Sequence, residues 1–274
     1  MSELEFIKNA LNEDIGRGDL FSKICDDKIV KANVLAKDNG VFSGEKYISI
    51  LLDFVGLEGR FCVSDKDEFH KNDILLEIKG SYLWILKIER TLLNILQHSS
   101  GIATNVKSYT RILQENKLST IILDTRKTRP NLRDFEKYSV LNGGARNHRL
   151  GLDDCLMLKD TNLFHISNIS SFIKQARNKI PWTSKIEIEC SCIKDAKEAM
   201  KCGVDIVMCD NMTPSDISEV VIYRNKYYPH ILLEASGNIT KENILDYAKT
   251  KIDAISIGSL IHQATWIDLS LKMA

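Results

Sequence analysis

The chain has 274 residues, of which 44% are hydrophobic and 27% charged, and its 37 basic and 37 acidic side chains leave no formal net charge. This balance argues against a nucleic-acid coat protein or a partner of an anionic membrane surface. No apolar run approaches the ~20 residues of a membrane span, and the N-terminal stretch carries acids early and lacks a signal peptide's apolar core, so we expect a cytoplasmic protein.

The first part of the chain mixes helix and strand patterns. Leu4, Ile7 and Leu11 recur at helical spacing, which predicts a helix within residues 1–20 that ends at a glycine-containing loop. Glycine-punctuated strand patterns follow at residues 29–37, 41–43, 59–63 and 74–79, with helical spacing over 45–54. The mixture predicts an α+β sandwich domain over residues 1–104. Whether the C-terminal tail packs back on this domain is left open.

A long helical stretch follows over residues 85–113. Gly101 interrupts it and leaves open a division into two helices, since glycine weakens a helix interior. Arg90 lies on the polar side of this stretch, where an exposed helix arginine is the ordinary interpretation.

From residue 120 the pattern becomes a regular alternation of short apolar strands and helices. The predicted strands cover residues 121–124, 155–160, 185–190, 205–210, 231–236 and 254–259, and the predicted helices cover 132–141, 166–178, 193–201, 214–226, 241–249 and 261–273. Nearly continuous apolar strands are typical of a parallel sheet that is buried on both faces. Residues 105–274 are therefore predicted to form an α/β domain, either a doubly wound sheet or a βα-barrel.

Polar residues close these strands one after another, namely Asp124, Lys159, Asp160, Glu189, Asp210, Glu234, Ser236 and Gly258. A single such residue is often the cap of the next helix. Because the carboxyl ends of barrel strands open on one face, a series of them favours a shared active site.

Residues 124–160 concentrate positive charge in a neutral chain, through Arg126, Lys127, Arg129, Arg149 and Lys159. Arginine forks match carboxylate and phosphate oxygens two at a time, so this stretch favours a phosphate, pyrophosphate or dicarboxylate ligand. The alternative is a solvated charged face with ion pairs to nearby acids (Glu136, Asp153 and Asp154).

Two loops near the end of the series have the composition of a phosphate cradle, and they contain Ser236, Gly237 and Asn238, and Ile257, Gly258 and Ser259. Glycine admits close backbone approach, and free amides at a helix start attract phosphate.

Seven scattered cysteines are expected to be buried reduced thiols rather than a disulfide framework. A zinc site formed by Cys190, Cys192, Cys202 and Cys209 is the alternative, but no C-x2-C knuckle is present to support it.

Residues 124–152 read DTRKTRPNLRDFEKYSVLNGGARNHRLGL. This segment resembles the pattern D-T-R-K-T-x-P-x-L-R-x-x-E-K-Y-x-V-x-x-G-G-x-x-N-H-R-x-G-L of the quinolinate phosphoribosyltransferase family, also called carboxylating nicotinate-nucleotide pyrophosphorylases. The resemblance extends over essentially the whole chain and includes the segments 89–94, 100–104, 187–189, 233–237 and 255–258.

The resemblance implies an N-terminal α/β sandwich domain and an incomplete, seven-stranded α/β barrel. It implies transfer of a phosphoribosyl group from phosphoribosyl pyrophosphate to quinolinate with decarboxylation, which yields nicotinate mononucleotide on the way to NAD. It also implies Mg²⁺, which enters with the donor, and a homodimer or hexamer whose sites are shared between subunits.

The matching positions imply roles for individual residues. Quinolinate would meet Arg126, His148 and Arg149, with Arg90 contributed by the partner subunit. Lys127, Lys159, Glu189 and Asp210 would be the catalytic residues, and Glu189 and Asp210 would also hold Mg²⁺. The remaining binding residues would be Thr125, Ser236, Gly237, Asn238, Ile257, Gly258 and Ser259.

The chain departs from the family pattern at Arg129, Asn131, Thr161, Asn162 and Asn238. These departures affect fine positioning near Lys159 and the phosphate loop. Two rival interpretations are the molybdenum-transport-associated relatives of this fold, which differ around the Asn-His-Arg segment, and a barrel that binds phosphorylated metabolites without turnover. The paired acids Glu189 and Asp210 favour catalysis over binding alone.

Overall fold

A computed structural model describes residues 2–274 of the chain. The chain divides into two compact units. Unit 1 contains the residues up to Lys107 together with Arg129–Gly144 and Gln263–Ala274, and unit 2 contains Ser108–Thr128 and Ala145–His262. The predicted boundary between residues 104 and 105 stays a prediction.

The helices are α1 (Glu3–Ile15), α2 (Glu45–Val55), α3 (Tyr82–Glu115), α4 (Arg133–Asn142), α5 (Asp160–Leu163), α6 (Ile169–Arg177), α7 (Ile193–Lys201), α8 (Pro214–Tyr227), α9 (Ile244–Lys249) and α10 (Ser259–His262), with a 3₁₀ turn at Phe21–Lys23. The strands are β1 (Ile29–Ala36), β2 (Gly40–Val41), β3 (Glu58–Phe61), β4 (Glu68–Phe69), β5 (Ile74–Ser81), β6 (Ile121–Leu123), β7 (Cys155–Leu158), β8 (Lys185–Cys190), β9 (Ile206–Asp210), β10 (Leu232–Ser236), β11 (Ala254–Ser256) and β12 (Leu269–Met273).

Unit 1 is built on a four-stranded antiparallel sheet with the strand order β12-β1-β5-β3, and β2 and β4 form a separate pair. Along β1 every second side chain, Ala32, Val34 and Ala36, is buried. The predicted N-terminal helix is confirmed as α1. It starts with a capping box, in which Ser2 Oγ accepts from the Glu5 amide and the Glu5 carboxylate accepts from the Ser2 amide.

Helix α3 is continuous, so Gly101 does not divide it. A Cβ atom at this position would lie 2.2 Å from the carbonyl oxygen of Thr265. The glycine is therefore explained by a close approach of backbone within unit 1, and a glycine that is tolerated inside a helix often has such a packing reason.

The predicted helix over residues 261–273 is wrong. Only the short α10 forms there, and the chain then extends into β12, which pairs antiparallel with β1 in a register that places Val34 opposite Leu271. Leu269 and Leu271 are buried and alternate with Ser270 and Lys272, which is the period of a strand and not of a helix.

Unit 2 contains a six-stranded parallel sheet with the order β6-β11-β10-β9-β8-β7. An isolated parallel bridge joins Leu123 of β6 to Arg146 and adds a very short seventh element beyond β6. The expected incomplete α/β barrel is therefore confirmed. The predicted start of α8 is also confirmed, because Thr213 Oγ1 accepts from the Asp216 amide while Pro214 opens the helix.

Across residues 2–274, none of the helices combines the length and the apolar character that a membrane crossing requires.

Candidate active site

A cavity of about 640 Å³ opens at the carboxyl ends of the strands of unit 2. This volume lies within the usual range for a small-molecule site. The cavity is lined by Thr125, Arg126, Lys127, His148, Arg149, Met157, Lys159, Glu189, Met208, Asp210, Asn211, Glu234, Ser236, Gly237, Asn238 and Ser256. Eleven of the fifteen site residues predicted from the sequence are in this set; the other four are Arg90, Ile257, Gly258 and Ser259.

Lys159 and Glu189 form an ion pair in the cavity wall. Lys159 directly follows β7 and Glu189 lies in β8, and these strands are neighbours in the sheet. The Lys159 amide donates to Asn162 Oδ1 at 3.0 Å, so Asn162, one of the departures from the family pattern, fixes the main chain at this lysine.

His148 lies between two buried carboxylates at the floor of the cavity. Its Nε2 atom is 3.3 Å from Glu187 Oε2 and 3.2 Å from Glu234 Oε2, and the side chains of both acids are at most 3% exposed. Nδ1 accepts a hydrogen bond of 2.7 Å from the Arg149 amide. That bond makes Nε2 the ring nitrogen that carries hydrogen toward the acids.

The two acids change the proton affinity of this cluster. Burial lowers the pKa of His148, but the hydrogen bonds and charges of Glu187 and Glu234 outweigh burial and raise that pKa to about 10. Burial also raises the pKa of Glu187, with the charge of Glu234 adding to the effect. The hydrogen bond from the Arg149 amide acts in the opposite direction, because a second proton on the ring would have to displace that bond from Nδ1; in the structure Nδ1 is the acceptor and is therefore unprotonated.

Among residues 2–274, these three side chains form the one group of histidine and carboxylate atoms close enough together to hold a metal ion. The hydrogen bond at Nδ1 argues against such a use, because a neutral imidazole that accepts there carries its hydrogen on Nε2 and has no lone pair on that atom for a metal. We therefore treat the cluster as a hydrogen-bonded triad.

The predicted phosphate loop after β10 is held by asparagine side chains. Gly237 has a φ of +94°, and a Cβ atom there would lie 2.2 Å from Asn211 Oδ1. Asn238 donates from Nδ2 to the same oxygen at 3.1 Å, and its carbonyl accepts from Asn243 at 3.1 Å. The φ of Asn238 is +52°, a left-handed conformation that asparagine tolerates, so asparagine can stand at this position where the family pattern has glycine.

The second predicted loop, residues 257–259, lies next to one predicted lysine. A Cβ atom at Gly258 would come within 2.8 Å of Lys127 Cδ and 3.4 Å of His262 Nε2. Gly258 thus allows Lys127 to approach the backbone, and His262, to which sequence reasoning gave no role, is a neighbour of this loop.

Arg90 is an exposed residue of α3 within unit 1. Arg129 also belongs to unit 1, where its guanidinium bonds Glu136 Oε1 at 2.8 Å and His98 Nε2 at 3.0 Å. The carboxylate of Glu136 is fully buried and lies 3.0 Å from His98 Nε2. Arg129 therefore stabilises a buried histidine–glutamate pair of its own unit and does not line the cavity.

The seven cysteines are all free, but the expectation that they are buried is met only by Cys190 and Cys209. Cys62 and Cys192 are exposed, and the remaining three are partly exposed. Burial raises the pKa of Cys209 to about 12, so this thiol stays protonated and apolar in character near neutral pH.

Sequence reasoning missed several contributors to the cavity, namely Met157, Met208, Asn211, Ser256 and the buried acid Glu187 beneath it. Glu187 and Glu189 are two residues apart on one strand, and alternation places them on the same face of the sheet. That spacing was the available signal for Glu187.

Comparisons with known proteins agree with this architecture. Residues 19–100 match the family model "Quinolinate phosphoribosyl transferase, N-terminal domain", and residues 102–272 match "Quinolinate phosphoribosyl transferase, C-terminal domain". The chain is 36% identical to "Nicotinate-nucleotide pyrophosphorylase [carboxylating]" of Dictyostelium discoideum, over 98% of this chain and 95% of the relative. It is also 36% identical to a probable enzyme of that name from Bacillus subtilis, over 97% of this chain and 93% of the relative.

A solved structure has the same fold. The crystal structure of nicotinate-nucleotide pyrophosphorylase from Ehrlichia chaffeensis superimposes with a TM-score of 0.92 at 30% identity and covers 100% of this chain and 99% of that one.

Proposed function

The chain belongs to the quinolinate phosphoribosyltransferase family, and we propose that it transfers the phosphoribosyl group of phosphoribosyl pyrophosphate to quinolinate with loss of carbon dioxide. The products are nicotinate mononucleotide, pyrophosphate and carbon dioxide, a step of de novo NAD synthesis. The observation that carries the proposal is the cavity of unit 2, where four arginine and lysine side chains and the carboxylates of Glu189 and Asp210 share one space. The cytoplasm stays the predicted location.

Quinolinate has two adjacent carboxylates and therefore requires fixed cations. Arg126 and Arg149 line the cavity and suit this task, because a guanidinium can bond a carboxylate with two parallel N–H groups. Each charge-assisted bond contributes roughly 1.5–3 kcal/mol. We assign the diacid to these arginines, with Thr125 and His148 completing that wall.

The donor would bind across the opposite part of the cavity. Ser236, Gly237 and Asn238 supply the loop for its 5′-phosphate, and Gly258 with its neighbours Ile257 and Ser259 supplies the second loop beside Lys127. Lys127 and Lys159 would then face the pyrophosphate. Gly237 supports this assignment, since its lack of a Cβ lets Asn211 pack directly against the loop backbone and hold its shape.

The first chemical step is attack by the pyridine nitrogen on the anomeric carbon as the bond to pyrophosphate breaks. Glu189 and Asp210, at the ends of the neighbouring strands β8 and β9, would stabilise the positive charge that develops on the ribose. Their carboxylate oxygens also fit Mg²⁺, which when bound with the donor would neutralise charge on the leaving pyrophosphate. Lys127 and Lys159 add positive charge at the same leaving group.

Decarboxylation follows from the positive charge of the new pyridinium. The bond between the ring carbon next to nitrogen and its carboxylate breaks, the electron pair stays on the ring carbon, and a proton replaces the carbon dioxide. This chain's residues contribute orientation and electrostatics, so neither step requires a serine or cysteine nucleophile.

The charge balance of the cavity supports a site shared between subunits. Four arginine and lysine side chains face three carboxylates, those of Glu189, Asp210 and Glu234. A diacid and a phosphoribosyl donor together bring more negative charge than this small excess can balance. We infer that the chain forms a homo-oligomer, either a dimer or a hexamer built from dimers, in which the exposed Arg90 enters the partner's cavity.

The proposed activity is tested by incubating the protein with carboxyl-labelled quinolinate, the donor and Mg²⁺. Labelled carbon dioxide and pyrophosphate should appear in equal amounts, and nicotinic acid should be a poor substitute for quinolinate. Release of neither product at any Mg²⁺ concentration would refute the proposed function. Mixing Arg90→Ala with Lys159→Ala subunits should restore part of the activity, and its absence despite demonstrated subunit exchange would contradict the shared site.

A further inference from the structure

The two acids that flank His148 have no role in the chemistry described so far. Glu187 and Glu234 come from β8 and β10, which are separated in the sheet by β9, and both carboxylates face the same ring nitrogen. The second oxygen of each carboxylate, Oε1, is buried and has no hydrogen-bond partner among the described residues.

Such an arrangement is costly for the fold. Neighbouring positions on these strands are filled by buried apolar side chains, such as Ile186 and Ile188 on β8 and Leu233 and Ala235 on β10. Taking a carboxylate out of water costs several kcal/mol, and a buried ion pair is often no more stable than apolar side chains of the same volume. Packing alone therefore gives no reason for two acids here.

The contacts continue from the acids to the substrate wall. Nε2 of His148 faces Glu187 and Glu234, while Nδ1 accepts from the Arg149 amide. The guanidinium of Arg149 is held in turn by a hydrogen bond of 3.1 Å from Nη1 to the Cys155 carbonyl. The ring thus connects strands β8 and β10 to the main chain of an arginine that lines the cavity.

Resting on the proposed function, we propose that Glu187 and Glu234 are positioning residues for the reaction of quinolinate. They hold the His148 ring from one side, and the ring holds the Arg149 main chain from the other. The Arg149 guanidinium is thereby presented to the pyridine diacid in a fixed orientation. The acids act through His148, and neither is assigned a bond to the substrate; Glu187 lies beneath the cavity, whereas Glu234 also lines it.

The direction in which quinolinate affinity changes on replacement by glutamine separates the positioning role from simple charge repulsion of the substrate. Each ionised acid near the cavity repels a substrate with two negative charges, so replacing it by neutral glutamine should strengthen quinolinate binding if charge were its only influence. The positioning role requires the opposite result, because glutamine keeps the size of the side chain but loses the charge that orients the ring.

The experiment measures quinolinate and donor affinities by calorimetry for Glu187→Gln, Glu234→Gln and the unchanged chain. We expect quinolinate binding to weaken by about tenfold or more, by analogy with the loss of metal affinity when a residue that orients a metal-ligating histidine is removed. Donor binding should change by less than about twofold, since Ser236, Gly237 and Asn238 are not part of the triad. Unchanged or tighter quinolinate binding in both variants would overturn the proposal.

Glu136→Gln is the matched control. Glu136 is likewise buried and lies 3.0 Å from a histidine Nε2, but it belongs to unit 1 and does not line the cavity. It should lose stability without a change in quinolinate affinity. If a glutamine variant fails to fold, Glu187→Asp and Glu234→Asp keep the charge and withdraw it from the ring, and they too should weaken quinolinate binding.

A second measurement needs no substrate and so separates this proposal from the proposed function. Nitrogen-15 spectra of labelled histidine, with His148→Gln used for assignment, report which ring nitrogen carries hydrogen. We expect hydrogen on Nε2 in the unchanged chain and a mixture of tautomers in the glutamine variants. Identical ring signals in all three would overturn the triad, whereas a chain that shows the triad but binds no quinolinate would refute the proposed function alone.

Discussion

Lys159 and Glu189 form an ion pair across the ends of β7 and β8, and both side chains line the cavity of unit 2. The pair brings one cation and one anion to the place where a leaving pyrophosphate and a developing ribose cation would separate. Each partner is thus held beside charge of the opposite sign before any substrate binds.

Replacing Lys159 by methionine should lower kcat by about 10²–10³-fold, the usual loss when one group that stabilises transition-state charge is removed. The change also leaves Glu189 uncompensated beside the donor. Steady-state kinetics at saturating quinolinate measures the effect. Lys197→Met is the control, because Lys197 pairs with Glu219 on the surface of the same unit, and loss of an exposed pair costs only about 0–1 kcal/mol. A loss below threefold for Lys159→Met would contradict the assigned role.

Replacing Gly237 by alanine should raise the KM for the donor by at least tenfold. The new Cβ would collide with Asn211 Oδ1, so either the loop backbone or the Asn211 side chain would have to move. Gly203→Ala provides a comparison at φ +79° with no atom within 4 Å of its Cβ. Both variants carry the strain of a positive φ, about 1–2 kcal/mol. Only Gly237→Ala should change donor binding, and equal KM values in the two variants would argue against a phosphate loop at this position.

The stability that His148 contributes should depend on pH in a defined direction. Glu187 and Glu234 raise its folded pKa from 6.5 toward about 10, and the Arg149 amide, which donates to Nδ1, opposes this increase. A raised pKa stabilises the folded state fully below the unfolded value and loses that contribution as pH rises through the folded value. The difference in unfolding free energy between the unchanged chain and His148→Gln should therefore shrink between pH 6.5 and pH 10. Urea unfolding at several pH values measures it, and a difference that grows with pH would contradict the prediction.

Leu271→Ala tests the C-terminal strand. Leu271 is 9% exposed, pairs with Val34 of β1 and belongs to the core of unit 1. Its truncation should cost about 2–4 kcal/mol of unfolding free energy, the usual range for a buried leucine. Met273→Ala, at 44% exposure on the same strand, should cost less than about 0.5 kcal/mol. Equal losses for both would indicate that β12 does not contribute to the core.

The sequence predicted the parallel sheet because buried strands carry a dense apolar signal, and β8 was placed from its first residue to its last. It predicted most of the cavity because charged residues after such strands converge on one face. The prediction was wrong for the C-terminal strand, where the local spacing was too short to decide. Residues 269–273 are too few to separate a strand from a helix, and their pairing with β1 depends on residues more than 200 positions away.

Glu187 is a residue of the site cluster that the sequence pattern did not predict. It stands among apolar neighbours inside a strand, where pattern reasoning expects core, and its partner His148 comes from a loop before β7. The contact is visible only once the register of β8 and the path of that loop are known. By contrast, Asn238 was noted as a departure from glycine, and its positive φ gives the physical reason why the departure is tolerated.

The position of β12 at the edge of the sheet of unit 1 has a consequence for biosynthesis. Until residue 273 leaves the ribosome, β1 would present its backbone amides and carbonyls along one unpaired side. An uncovered strand of this kind recruits strands from other molecules, so newly made chains are exposed to aggregation for as long as translation of the segments in between continues. Chains truncated before Leu269 would lack β12, so this edge of β1 would stay unpaired.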